Sequence, residues 1–289
     1  MVKQASEEMR GTLFVVATPI GNMEDITLRA IKTLGQVDVI AAEDTRHTRR
    51  LLSAHHITGR LVSFHEHNEV RRTPELIKRL QKGESIALVS DAGTPGVSDP
   101  GYRLVQAAVA LKVPVVPVPG ASAVIAALCA SGLPTDTFSF VGFPARKKAK
   151  RMEQISALGR LPHTLIFYQS PRRVVAFLEE LRRSLGDRRA VLAREVTKLH
   201  EEFLHGDLSE IAAEVKSRDE VKGECTLLVA GAADTLPSKA ELDAAIAAAL
   251  AAPEGPSLSH IAKSLAKQFK VPRKVVYDKA LKIKVAHKD

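Results

Sequence analysis

Only two of the 289 residues are cysteine, Cys129 and Cys225, and both lie in apolar stretches far apart in the chain. This excludes a disulfide framework and any cysteine-based metal knuckle, so both thiols are expected to be free and buried, as in the reducing cytoplasm. Long uncharged runs are scarce as well. Residues 113–135 carry no charge, but Pro114, Pro117, Pro119 and Gly120 interrupt them. That run therefore reads as strand, turn and small-residue helix, and no membrane partner is expected. Residues Met1 to Arg10 are polar and of mixed charge, unlike a signal peptide. Phosphate-loop signatures are missing too. No Gly-x-x-x-x-Gly-Lys occurs, and no Gly-x-Gly-x-x-Gly opens a first strand–helix unit.

What is present is a chain with 45% hydrophobic and 26% charged residues, the balance of a globular protein large enough for two cores and an appendix. Its net charge is +9, and the excess is localised. From Ser257 to Asp289 nine lysines and arginines face two aspartates. A second basic cluster, Arg146-Lys147-Lys148-Ala149-Lys150-Arg151, lies mid-chain. One such patch is usually a solvated face; two favour a polyanionic partner, most often nucleic acid.

The first half alternates strand and helix patterns. Strands are expected at Thr12–Ala17, Val37–Ala41, Arg60–Phe64, Ser85–Val89 and Val113–Val118. Helices are expected at Thr27–Gly35, Thr45–Ser53, Pro74–Leu80 and after Pro100. This is the signature of a parallel sheet covered on both faces. In the second half, strands at Phe138–Phe143, Thr164–Tyr168, Ala190–Glu195, Glu201–Gly206 and Gly223–Ala230 are joined by shorter turns, which implies a mixed sheet. Helices are expected there at Lys147–Leu158, Arg172–Leu185 and Ser209–Lys216. A linker follows at Gly231–Ser238, then a helix from Ala240 to Ala251 stopped by Pro253-Glu254-Gly255-Pro256. Two basic helices close the chain, the first capped by Ser257 or Ser259 with Ala262, Leu265 and Ala266 inward, in the manner of a helix-turn-helix. The expected domains are 11–119, 120–232 and 239–289.

Chemistry-bearing residues gather after the strands. Ser90-Asp91-Ala92-Gly93-Thr94-Pro95-Gly96-Val97-Ser98-Asp99-Pro100-Gly101 leaves an apolar strand and opens a helix, where parallel sheets bind ligands. Its glycines admit a ligand to the backbone and its prolines stiffen the path. Thr18-Pro19-Ile20-Gly21-Asn22, Glu43-Asp44-Thr45-Arg46 and His65-Glu66-His67 follow other strands in the same way. The His-x-His pair lacks a third soft ligand, so no metal is expected and a substrate contact or general base is the better reading. Pro119-Gly120-Ala121-Ser122-Ala123 exposes backbone N–H groups at a helix start. Phe167-Tyr168-Gln169-Ser170-Pro171-Arg172 and Gly223-Glu224-Cys225-Thr226 supply turn or strand residues from the second half.

In that order, these motifs resemble the bacterial 16S ribosomal RNA cytidine-2′-O-methyltransferases, a branch of the tetrapyrrole methylase superfamily. The resemblance spans about Gly11 to Ala232, and the basic tail is similar to that family's C-terminal module. It implies an α/β fold of two domains of the tetrapyrrole methylase type, with S-adenosylmethionine in the cleft between them, plus a small helical module, usually as a homodimer. Carried over by position, Pro19, Asp91, Gly93, Thr94, Ser122, Ala123, Tyr168, Cys225 and Thr226 would contact the cofactor. The expected substrate is a cytidine in the decoding region of 16S ribosomal RNA in the small subunit. Glu43 or Glu66 would orient or deprotonate its hydroxyl, with Asp44, His67 and Asp99 as further candidates, while Arg46, Arg49 and Arg172 grip phosphates. The rival readings are a methylase of a small tetrapyrrole, against which the basic clusters argue, and a non-catalytic nucleic-acid-binding regulator.

Overall fold

The computed structural model describes residues 11–232, 239–250, 256–269 and 271–286. The polar segment 1–10, most of the expected linker and the Pro253-Glu254-Gly255 stop lie outside the described residues. The chain divides into two compact units at Gly231/Ala232.

The first unit holds two five-stranded sheets. Strands β1 (Leu13–Val16), β2 (Val39–Ala42), β3 (Leu61–Ser63), β4 (Ile86–Val89) and β5 (Val115–Val118) form an all-parallel sheet of order β3-β2-β4-β1-β5. Side chains alternate between its faces, as a period of two requires. Leu13, Val39, Ala41, Ile86 and Leu88 face one core, with α3 (Glu69–Gln81) and α4 (Tyr102–Ala110). Phe14, Val16, Ile40, Ala42, Ala87 and Val89 face the other, with α1 (Leu28–Leu34) and α2 (Thr45–Ala54). Helices after β1 and β2 thus cover one face, and those after β3 and β4 the other. Because β4 lies between β2 and β1, a crevice opens at its carboxyl end, the switch point at which such sheets bind ligands.

Local capping follows the residues. Thr27 Oγ1 accepts from the Ala30 N–H (3.1 Å), so Thr27 caps α1. Asp44 Oδ1 accepts from the Arg46 N–H (2.8 Å) and starts α2. Helix α3 begins five residues before the expected start at Pro74, which lies inside it. Proline deprives only the Val70 carbonyl of a helical donor, and Val70 is exposed to solvent.

The second sheet is mixed, as expected. Its strands β6 (Phe138–Gly142), β7 (Thr164–Gln169), β8 (Arg189–Arg194), β9 (Glu202–Asp207) and β10 (Cys225–Val229) run in the order β6-β7-β10-β8-β9, with only β6 and β7 parallel. Leu165, Phe167, Leu192 and Leu227 pack under α6 (Lys148–Leu158), α7 (Val174–Leu185) and α8 (Leu208–Lys216). Ile166, Val191 and Leu228 pack under α5 (Ala123–Ala130), the helix that follows the last strand of the first sheet. One expectation fails here: Cys225 is buried, but Cys129 is exposed. Helix α5 is apolar almost all round, yet only its Val124–Ala127–Leu128 stripe meets the sheet, so Cys129 and Ile125 remain outside.

The second unit contains α9 (Lys239–Leu250), α10 (Leu258–Phe269) and α11 (Arg273–Ala286) around Ile246, Ile261, Ala262, Leu265, Val276 and Ala280. Ser257 caps α10, its Oγ accepting from the His260 N–H at 3.3 Å. Lys263, Lys274, Lys282 and Lys284 are exposed. Among the described residues, no helix is long and apolar enough to cross a membrane.

Candidate active site

The crevice beyond β4 is closed by the second sheet into a cavity of about 440 Å³. Four turns of the first sheet reach it: Ile20 after β1, Glu43 after β2, Asp91 to Asp99 after β4, and Ser122–Ala123 after β5. The second sheet supplies Phe143 after β6, Tyr168 and Gln169 at the end of β7, and Cys225 and Thr226 at the start of β10. Since β10 runs antiparallel to β7, its first residues stand beside the last of β7, with Cys225 opposite Gln169.

The loop after β4 is held by backbone contacts. Thr18 and Gly93 exchange N–H···O bonds of 2.9 and 3.1 Å, and Thr18 Oγ1 donates to the Ser90 carbonyl at 3.1 Å. Gly93 takes φ +79°, a left-handed conformation costly for any side chain. Ser98 also has positive φ (64°), and across the cleft so do Glu195 (52°) and Thr197 (69°). Such strain concentrates where a site holds its backbone against local preference. The two halves touch directly, the Asn22 N–H donating to Thr197 Oγ1 at 3.2 Å. Gly142 comes so close to Ser98 that a Cβ there would stand 3.0 Å from its Oγ.

The charge of the cavity is one-sided. Glu43, Asp91, Asp99 and Glu224 line it, and no lysine or arginine among the described residues does, although Lys198 Nζ pairs with Glu224 Oε2 at 3.0 Å from outside the lining. Asp91 Oδ1 accepts the Asp44 N–H at 2.9 Å, which fixes that carboxylate at the start of α2. Burial first, then the charge of Asp91, raises the Glu43 pKa above the ordinary carboxylate value. Asp99 is pushed up to about 6, by burial first and then by Glu43. Burial lifts the Tyr168 hydroxyl to about 12 and the Cys225 thiol to about 11, so both remain neutral at physiological pH. Crowded carboxylates that resist ionisation form a site waiting for a cation.

Of the residues singled out from the sequence, Glu43, Asp91, Gly93, Thr94, Ser122, Ala123, Tyr168, Cys225 and Thr226 come together in this cavity. Pro19 is buried beside it, and its neighbour Ile20 forms the wall. Glu66 is exposed outside the cavity and reaches Glu43 only through its field. Arg46, Arg49 and Arg172 are exposed and lie outside the cavity lining, with Arg46 paired to Asp44 at 2.8 Å. Phe143 and Val196 line the cavity outside every motif singled out from the sequence, while Val97 and Gln169 stand within such motifs but were assigned no contact. The Phe143 ring stands 5.5 Å from that of Tyr168; the expected strand ran through Phe143, whereas β6 ends at Gly142 and leaves the ring exposed.

Residues 12–212 match the model of the Tetrapyrrole (Corrin/Porphyrin) Methylases, and the chain belongs to that family. A "Ribosomal RNA small subunit methyltransferase I" of Micromonospora olivasterospora is 52% identical over 248 residues, 86% of this chain and 78% of that protein. One of the same name from a Synechocystis strain is 44% identical over 94% of this chain and 98% of its own length. Among solved structures, the methyltransferase CobJ superposes with a TM-score of 0.59 at 21% identity, covering 77% of this chain and 95% of its own. A Thermus thermophilus uroporphyrin-III C-methyltransferase complexed with S-adenosyl homocysteine superposes at 0.53 and 22% identity, covering 76% and 96%. These structural likenesses concern the fold.

Proposed function

We propose that this protein methylates the ribose 2′-hydroxyl of a cytidine in the decoding region of 16S ribosomal RNA, in the small ribosomal subunit. The coarser activity, S-adenosylmethionine-dependent methylation of small-subunit ribosomal RNA, is that of its family branch. The observation that carries the cofactor assignment is the cavity lined by four carboxylates, of which Glu224 alone is paired to a lysine, Lys198, and by no lysine or arginine among the described residues. Its volume of about 440 Å³ is in the range of small-molecule sites. A nucleoside cofactor bearing a sulfonium and an ammonium matches that charge; a nucleoside triphosphate would be repelled. The missing phosphate-loop lysine follows from the same chemistry.

S-adenosylmethionine supplies an already activated methyl group, so the residues around it have mainly to align and deprotonate an attacking oxygen. Asp91, Asp99 and Glu224 would hold the cationic cofactor. Glu43, its carboxyl raised towards neutrality by burial and by Asp91, takes the proton of the ribose hydroxyl. Such a general base supplies roughly 10²–10⁴-fold in rate. Glu66 acts on Glu43 through its charge, from outside the cavity. Tyr168, Cys225 and Thr226 close the pocket from the second sheet, with the Phe140 and Phe143 rings 4.9 and 5.5 Å from Tyr168. Arg46, Arg49 and Arg172, all exposed, and Lys263, Lys274, Lys282 and Lys284 of α10 and α11 engage RNA phosphates. We place the protein in the cytoplasm, where ribosomal subunits are, and as a homodimer, which light scattering tests.

Incubation with methyl-labelled S-adenosylmethionine, purified small subunits lacking the modification and, in parallel, a uroporphyrinogen-type tetrapyrrole tests this reading. Label is expected on the RNA alone. Transfer only to the macrocycle establishes the small-molecule reading, and no transfer to either favours a non-catalytic regulator.

A further inference from the structure

Beside the acidic cavity lies a second one of opposite charge. It encloses about 300 Å³ and shares Gln169 with the first. Its charged residues are Arg146, Arg151, Arg173 and Glu180. Two of these cancel, because Arg151 Nε and Nη2 donate to the two Glu180 oxygens at 2.7 and 2.8 Å. Arg151 Nη1 donates to the Ala145 and Arg146 carbonyls at 2.9 and 3.0 Å. Gln154 Oε1 accepts the Ala145 N–H at 3.2 Å. Helix α6 thereby pins the loop that carries Arg146, and four of the five N–H donors of Arg151 are engaged within the protein. The side chains of Arg146 and Arg173 make no hydrogen bond or ion pair with the described residues, and both are exposed. Arg173 directly precedes α7, a helix of 12 residues whose N-terminus carries positive partial charge.

We propose that this second cavity is a phosphate subsite for the RNA strand, in which Arg146 and Arg173 grip a phosphodiester next to the nucleotide being methylated and Arg151 positions the loop. The proposal rests on the RNA-methylating reading above and adds where the strand is held. Guanidinium forks match phosphate oxygens in pairs, and two unpartnered forks on a pinned frame lose little freedom on binding. The cofactor has no phosphate to seat there. Gln169 borders both cavities, so the basic one adjoins the acidic one in which the ribose reacts. Arg172, one residue earlier, lines neither cavity.

Arg146→Ala, Arg173→Ala and the double variant, in the full chain, test the subsite, with Arg183→Ala, on α7 and paired to Glu179 at 3.5 Å, as comparator. KM for small subunits, the salt dependence of subunit binding and the Kd for S-adenosylmethionine are measured for each. The double variant is expected to raise KM about 10–100-fold. It should flatten the slope of log K against log salt by about 0.7–0.9 for each phosphate that is no longer neutralised. Cofactor Kd should change less than twofold, and Arg→Lys at both positions should restore part of the affinity. An active parent with unchanged KM and salt slope in the double variant overturns the subsite and leaves the functional reading intact. A parallel loss of cofactor affinity also overturns it, because the arginines then act through the fold. A parent that neither binds nor methylates subunits overturns the functional reading and the subsite with it.

Discussion

Replacing Asp99 with Asn should stabilise the protein while weakening its hold on the cofactor. Burial, then the charge of Glu43, raises the Asp99 pKa from 3.8 to about 6, so the folded state prefers the protonated carboxyl. Its charge therefore costs the fold nothing below about pH 4, progressively more as pH rises through 6, and a constant amount above. At about 1.4 kcal/mol per pK unit the shift is worth about 3 kcal/mol. Asp99 is only half-buried, so solvent screening reduces this to about 1–1.5 kcal/mol. For a domain of this size that is a rise of about 2–6 °C in Tm at pH 7.5. At pH 5, where Asp99 is mostly protonated when folded but ionised when unfolded, about half of that gain should remain. Differential scanning fluorimetry at the two pH values reads the stability, and calorimetric titration with S-adenosylmethionine reads the affinity, expected to fall about tenfold. A D99N protein that is less stable than its parent at pH 7.5, or whose gain does not depend on pH, refutes the account of the acidic cavity.

Three other outcomes are expected. Glu43→Gln should reduce single-turnover methylation by about 10²–10⁴-fold with cofactor Kd nearly unchanged, as measured by rapid quench; near-normal turnover removes Glu43 as the base. Gly93→Ala forces a side chain into φ +79° within the bridge to Thr18, and should cost about 1–2 kcal/mol in denaturant titration together with part of the cofactor affinity. Equal stability and affinity would show that the loop has no need of the left-handed turn. Lys274→Gln with Lys282→Gln on α11 should weaken subunit binding most at low salt and leave cofactor binding unchanged, in filter-binding titrations.

The parallel sheet was legible because β2 and β4 are fully buried and carry unbroken apolar runs, a pattern only a two-sided sheet explains. The cavity was legible for a related reason. Ligand residues follow strand ends, and Asp91, Gly93 and Ser122 stand directly after β4 and β5. Two kinds of fact were not legible. Neighbours within a turn share the same sequence environment, so Pro19 and Ile20, or Arg172 and Arg173, are separated only by which way each side chain leaves the backbone. Burial of a lone residue in an apolar helix is equally hidden, since Cys129 and Ala127 differ only in the face of α5 they occupy. Nor does the sequence reveal that Arg151 is consumed by Glu180 while Arg146 and Arg173 have no partner among the described residues, because that pairing spans 29 residues.

The central claim is tested most directly by digesting small-subunit RNA to nucleosides after reaction with this protein and S-adenosylmethionine, and identifying the methylated product by mass spectrometry. The proposed function predicts a single new nucleoside, 2′-O-methylcytidine. A methyl group on the base, on another nucleoside, or absent from the RNA would contradict it.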